Sequence, residues 1–348
     1  MVIPRHSRRR FLQLLAMAGA GAMLPVETLR SQAPAGTKGR IDVHHHLLPP
    51  FYLRARQGEI TDSARALPAW SPEISLEAMD RSGIATAILS PHYRLVSDTL
   101  NDKSERARGL ARQHNEYAAR LVADRPDRFG IFAVLPLPDQ DAALNEIAYA
   151  FDTLKVDGIG LWTSYQDKWP GDPAFAPAFD ELNRRRAVVF FHPAAPVCCR
   201  TLIPGVGPNV VEYDFDTARA FASLLANGVF SRCPDIRFIF THSGATIPVL
   251  ANRISETLQT TSPGRMSPAG VREEFSRVYY EVAHAGYAPA LAALTKLVST
   301  TRILFGSDFP VYDFPVTTNP LDRYGFSASE LAAINRGNAE QLFPRLKI

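Results

Sequence analysis

From residue 40 onward, short apolar or β-branched runs alternate with longer stretches in which apolar positions recur every three or four residues. The short runs are Arg40–His46, Ile84–Ser90, Phe129–Leu135, Gly158–Trp162, Ala187–His192, Ile236–His242, Val278–Ala283 and Arg302–Ser307, and they read as eight strands. The amphipathic stretches near 73–82, 103–124, 140–154, 175–185, 215–228, 245–258, 287–297 and 328–342 read as helices. Eight strand–helix units in succession predict a parallel sheet, and their number and spacing predict an α/β fold of the (β/α)8 TIM-barrel type. An open doubly wound sheet is the alternative, but no Gly-x-Gly-x-x-Gly opens any of the helices. Two longer connections, 47–72 and 193–214, follow strands that end in histidine. Long loops at that end of a barrel are expected to build the active-site mouth. No internal repeat or second linker interrupts the pattern, so 40–348 is expected to be one domain.

The pattern changes before residue 40. Residues 7–13, Ser-Arg-Arg-Arg-Phe-Leu-Gln, resemble a twin-arginine export motif with Arg8 and Arg9 as the pair. An apolar stretch from Phe11 to Leu24 follows and ends at Pro25. As a helix it would span about 21 Å against a hydrocarbon core of about 30 Å, which fits a signal-peptide apolar region better than a membrane span. Residues 1–33 are expected to be a leader and 34–39 a tether, with periplasmic export by the twin-arginine route; without a working leader the protein would be cytoplasmic. No later run is long enough to span a bilayer, so no stable membrane span is expected once the leader is removed.

Charge follows the same division. The chain has 348 residues, 38 of them basic and 35 acidic; residues 1–40 hold seven of the bases and one acid, leaving 31 against 34 in the remainder. The body therefore offers phosphates no net positive field, and a nucleic-acid partner is not expected. The three cysteines, Cys198, Cys199 and Cys233, form no Cys-x-x-Cys metal signature.

Candidate chemistry lies at the strand ends. His44 and His46 close the first strand, His192 the fifth and His242 the sixth, and Asp308 follows the eighth. Strand side chains alternate faces, so His44 and His46 point into the barrel and His45 points out. Strands one and eight become neighbours when a barrel closes, and strand five faces them. Three histidines and a carboxylate brought together this way form a mononuclear site for a divalent cation. His92, His114 and His284 are expected to be structural, with His284 near enough to strand seven to line the pocket.

The segments Ile41-Asp42-Val43-His44-His45-His46, Phe191-His192-Pro193, Thr241-His242-Ser243-Gly244, Phe305-Gly306-Ser307-Asp308-Phe309-Pro310 and Gly337-Asn338-Ala339-Glu340-Gln341-Leu342-Phe343 together resemble the amidohydrolase superfamily. More narrowly, they resemble its metal-dependent decarboxylases around aminocarboxymuconate semialdehyde decarboxylase. Trp70-Ser71-Pro72-Glu73, Leu135-Pro136-Leu137-Pro138 and Asp180-Glu181-Leu182-Asn183-Arg184-Arg185 look most like the 6-methylsalicylate decarboxylases.

The resemblance implies one divalent ion, zinc or less often manganese, held by His44, His46, His192 and Asp308. It implies His242 and Asp308 as proton-handling groups. It implies Arg253, reaching into a neighbouring subunit of a homodimer, and Arg65 as binders of a small carboxylic acid substrate. Binuclear relatives carry a bridging lysine on strand four; here that strand reads Gly158-Ile159-Gly160-Leu161-Trp162, which points to a single ion.

The expected activity is decarboxylation of a small aromatic acid such as an ortho-hydroxybenzoate. A metal-dependent hydrolase of an amide, lactone or ester would use the same groups on an activated water. A non-catalytic metal-holding protein is the third reading.

Overall fold

The computed structural model describes residues 39–51, 70–92, 103–261 and 268–347. These described residues belong to one compact unit. The expected leader and tether up to residue 38, and Arg65, lie outside the described residues.

All eight expected strands are present. They are β1 (Arg40–Leu47), β2 (Ile84–Pro91), β3 (Phe129–Val134), β4 (Gly158–Trp162), β5 (Val188–His192), β6 (Arg237–Phe240), β7 (Tyr279–Glu281) and β8 (Ile303–Leu304). Neighbours pair in parallel and in chain order. The circle closes between the last strand and the first: Val43 N–H donates to Phe305 O (3.0 Å), Asp308 N–H to His44 O (2.9 Å) and His46 N–H to Phe309 O (2.7 Å). This is a (β/α)8 barrel, with helices running between successive strands.

The strands read as nearly continuous apolar runs because both of their faces are covered. Inside the barrel Ile41, Val43, Ile88, Phe132, Val188, Phe190, Ile239 and Leu304 form one cluster, in which Phe132 and Phe190 stack at 5.0 Å. Leu342, Phe343 and Leu346 from the C-terminal segment join it. Arg345 pairs with Asp157, just before β4, and donates to the carbonyls of Pro126 and Phe129 near the start of β3. The C-terminal segment therefore seals the end of the barrel opposite the histidines. A second, larger cluster fills the layer between strands and helices.

Several details of the expected pattern change. β6 stops at Phe240 rather than His242, and His242–Gly244 form a 3-10 turn. The helix expected over 140–154 is α-helical over Gln140–Tyr149, then widens to a π turn over Ala150–Leu154 and ends at Lys155 in the left-handed region (φ 56°). Helices Pro268–Arg277 and Pro315–Arg323 lay outside the expected set.

Candidate metal centre

β1 delivers His44 and His46 to one face and His45 to the other, as alternation requires. His45 is fully buried in the supporting structure: its Nδ1–H donates to Asp42 Oδ2 (3.1 Å), its Nε2 accepts from Ser75 Oγ (2.9 Å), and its ring stacks on Phe309 at 5.0 Å. Asp42 is a hub for this support. Its Oδ1 accepts the backbone N–H groups of His44 (3.0 Å) and Ser307 (3.0 Å), and its Oδ2 accepts the Ser307 hydroxyl at 2.6 Å. Ser307 Oγ in turn accepts Phe309 N–H at 3.0 Å. The segment carrying Asp308 is thus tied to the strand carrying His44 and His46.

On the inner face, ligand-type atoms of His44, His46, His192 and Asp308 all lie within 4.8 Å of one another, and all four residues are buried. His44 Nε2 and His46 Nε2 are 3.2 Å apart, and both face Asp308 Oδ1, at 3.3 and 2.8 Å. His192, at the end of β5, donates its Nδ1–H to the Pro193 carbonyl (2.9 Å), which turns its Nε2 toward the others. The four expected ligands from β1, β5 and the segment after β8 are therefore brought together.

The electrostatics of this cluster suit a cation. Burial opposes a charged His44, but the Glu281 and Asp308 carboxylates beside it outweigh burial and lift it to about 10. Burial, followed by the charges of His46 and His44, drives His192 well below its ordinary range. Burial also lowers His46, with Asp308 opposing. Burial disfavours an ionised Asp308, yet the His44 charge, the neighbouring His242 ring and the close His44 and His46 imidazoles hold it well below the usual carboxylate range. One positive charge is thus drawn into a buried ring of imidazoles between two carboxylates. Three imidazole nitrogens and a carboxylate oxygen are a donor set that fits a divalent transition ion or zinc. β4 carries no lysine among them.

His242 stands beside this set, with Nε2 3.9 Å from Asp308 Oδ2 and its ring 5.3 Å from that of His44. The backbone around the site is strained. Of the eight non-glycine residues with positive φ among the described residues, five lie here: His242, Ser243, Ala245, His284 and Asp308. Such conformations cost about 1–3 kcal/mol each and persist where surrounding structure enforces them. At the rim, His92 meets His46 at 4.9 Å, Trp162 meets His192 at 5.5 Å, and half-buried His284 stacks on Tyr312 at 3.7 Å. Arg253 is exposed on the helix Ile247–Thr261; among the described residues no hydrogen bond or ion pair joins it to the cluster.

Sequence reasoning missed Glu281. This residue ends β7, is fully buried, and accepts the Nδ1–H of His44 on Oε1 at 2.9 Å. The available signal was an acid at the end of the otherwise uncharged run Val278–Glu281, at the strand end where the histidines also stand.

The amidohydrolase family pattern matches residues 41–345. The chain is 38% identical over 330 residues to decarboxylase yanB of Aspergillus niger, covering 89% of this chain and 88% of that one. It is 33% identical over 317 residues to the 6-methylsalicylic acid decarboxylase of Penicillium expansum, covering 88% and 97%. A solved dihydroxybenzoic acid decarboxylase of Polaromonas sp. JS666, with bound manganese and the inhibitor 2-nitroresorcinol, shares the fold with a TM-score of 0.72 at 22% identity, covering 89% of this chain and 100% of its own. With its barrel, its inward-facing His-x-His strand and these relatives, the chain belongs to the amidohydrolase family, in the branch that contains these decarboxylases.

Proposed function

We propose that the protein is a metal-dependent, non-oxidative decarboxylase of a small aromatic acid, with 6-methylsalicylate or another ortho-hydroxybenzoate as substrate. The observation that carries this reading is the convergence of His44, His46, His192 and Asp308, with His242 alongside, in a chain whose relatives include 6-methylsalicylic acid decarboxylase. His44, His46, His192 and Asp308 would hold one divalent ion, zinc or manganese. Bound there, the ion supplies a Lewis acid and a template for the substrate's carboxylate and neighbouring hydroxyl oxygens.

The protein's own groups manage the proton. Decarboxylation requires a proton at the ring carbon that bears the carboxylate. The carbon–carbon bond then breaks, CO2 leaves, and the electron pair of that bond restores the aromatic ring. The reaction consumes one proton and leaves hydrogen where the carboxylate was. In this reading Asp308 takes a proton relayed by His242 and, as the carboxylic acid, delivers it to that carbon, and His242 is reprotonated from solvent.

The test is metal analysis of the purified protein coupled to CO2 detection across hydroxybenzoates. We expect about one ion per chain, CO2 release from 6-methylsalicylate or 2,6-dihydroxybenzoate, and loss of turnover on chelation with recovery on adding zinc or manganese. Turnover of amides, lactones or esters with no CO2 release would replace this reading by the hydrolase.

We also propose that residues 1–33 direct export to the periplasm and 34–39 form a tether, on the strength of Arg8, Arg9 and the apolar stretch after them. A reporter fusion that stays cytoplasmic with both arginines intact would overturn this. The substrate-binding role of Arg253 in a homodimer is supported by Val249, one helical turn earlier on the same face and 76% exposed, an apolar neighbour of the kind an interface covers. A monomeric active enzyme, or Arg253→Ala with an unchanged KM, would remove it. Arg65 is proposed as the second carboxylate-binding arginine from the resemblance alone; Arg65→Ala is expected to raise KM, and an unchanged KM would discard it.

A further inference from the structure

Glu281 uses both of its oxygens. Oε1 accepts two donors, the His44 Nδ1–H at 2.9 Å and the backbone N–H of His242 at 3.0 Å. Oε2 accepts Ala283 N–H at 2.5 Å. A carboxylate with no exposure to water is costly unless its lone pairs are met, and here donors from β1, the turn after β6 and the chain just past β7 meet them.

The barrel also leaves room for it in a specific way. A Cβ at position 306 would fall 2.0 Å from Glu281 Oε2 and 2.9 Å from His44 Cβ, so only glycine lets that carboxylate and that imidazole lie side by side. Gly306 is two residues before Asp308, on the segment that brings this carboxylate to the site.

One oxygen therefore touches two parts of the site with different duties. By accepting the Nδ1–H of His44 it fixes the ring's orientation and leaves Nε2 as the lone-pair donor toward His46 and Asp308. By accepting the His242 N–H it holds a turn whose residues His242 and Ser243 sit in the left-handed region (φ 55° each) and would relax if released.

We propose that Glu281 is a positioning residue that couples cation retention to proton transfer, seated by Gly306 and acting through His44 on one side and the His242 turn on the other. It does not touch the substrate. The inference rests on the decarboxylase reading only for its kinetic half; the metal-retention half stands on His44 alone.

The experiment compares wild type with Glu281→Gln and Gly306→Ala as the full-length, metal-loaded protein. Each is first checked for folding by circular dichroism and melting. Two quantities are then read: the metal retained against a graded chelator, and kcat and KM separately for CO2 release. Glu281→Gln keeps an acceptor for His44 and His242 but sets an amide N–H2 against Ala283 N–H and removes the anionic partner of His44. We expect metal affinity to fall about 10- to 100-fold, the range for lost outer partners of a ligating histidine. With metal in excess we expect kcat to stay at least about fivefold below wild type, while KM changes less than twofold; a purely structural loss restored by added metal would not leave that split. Gly306→Ala should do the same while keeping the charge. If either variant melts below the assay temperature, Glu281→Asp replaces it, since it withdraws the same charge by one methylene, and the same losses are expected. Wild-type metal retention together with wild-type kcat in a folded Glu281 variant overturns the proposal. Weakened metal retention in a protein that releases no CO2 from any hydroxybenzoate, even as wild type, would leave the positioning role of Glu281 standing and remove the decarboxylase reading.

Discussion

His242 Nε2 and Asp308 Oδ2 stand 3.9 Å apart, a gap too long for a direct hydrogen bond and short enough for a proton to be relayed once substrate is in place. His242 is outside the His44–His46–His192–Asp308 set, so removing its ring should leave metal content unchanged. His242→Ala is therefore expected to lower kcat by about a hundredfold or more with metal still bound, the range for a lost proton-transfer group. Asp308→Asn should lose both activity and part of the metal. Rate and metal content measured on the same preparations separate the two roles, and near-wild-type turnover of His242→Ala would strip that residue of its part.

At this scale His-x-His was legible because a period of two fixes which rings share a face. Glu281 was not, because nothing local marks it. Its meaning depends on His44, 237 residues away, and only closure of the barrel brings them together.

The strands show the same division between what is local and what is not. β4 begins and ends where its composition says it should. β8 was expected over Arg302–Ser307 but pairs as a strand only at Ile303–Leu304, because the residues beyond have other partners. Phe305 N–H donates to Ile334 O at 3.0 Å, and Ser307 N–H donates to the Asp42 side chain at 3.0 Å. β6 ends early because His242 and Ser243 turn left-handed, where a ladder cannot continue. These departures cluster where the ligands are placed, since a regular strand would carry the side chains past the site.

The tie between β1 and the segment after β8 can be tested directly. Ser307→Ala removes the 2.6 Å hydroxyl contact to Asp42 and leaves Phe309 N–H without its acceptor, both in the interior. We expect a loss of about 2 kcal/mol, since buried groups left unpaired cost about 1–3 kcal/mol. Metal affinity should weaken as well, because the segment carrying Asp308 loses one of its ties, through Asp42, to the strand carrying His44 and His46. Denaturant unfolding of the metal-free protein and chelator titration of the loaded protein read the two effects; unchanged stability would show that Asp42 and the backbone bonds hold the segment without Ser307.

The stability of the whole barrel should carry a histidine signature unrelated to the site. His114 is only 5% exposed, on the helix Glu105–Asp124 that packs against β3. Its neighbour Asn115 locks that helix to the strand, accepting Val134 N–H at 2.8 Å and donating to Val134 O at 2.9 Å. Burial pushes His114 down to about 4, whereas in the unfolded chain it titrates near its ordinary 6.5. Above pH 6.5 the ring is neutral in both states and contributes no pH dependence. As pH falls below 6.5 the unfolded state takes up a proton that the folded state refuses, so stability declines until the folded ring titrates near 4. At pH 4.5 the difference amounts to about 2–3 kcal/mol. His114→Leu keeps an apolar side chain in place and removes the titration. Its unfolding free energy, measured in denaturant at pH 7.5 and pH 4.5, should fall less on acidification than that of the native sequence by that amount. Taking the difference between the two proteins cancels the titration of the histidines at the site, which are common to both. Parallel pH profiles would mean that His114 meets a proton as readily folded as unfolded, and that the helix opens around it well before the barrel does.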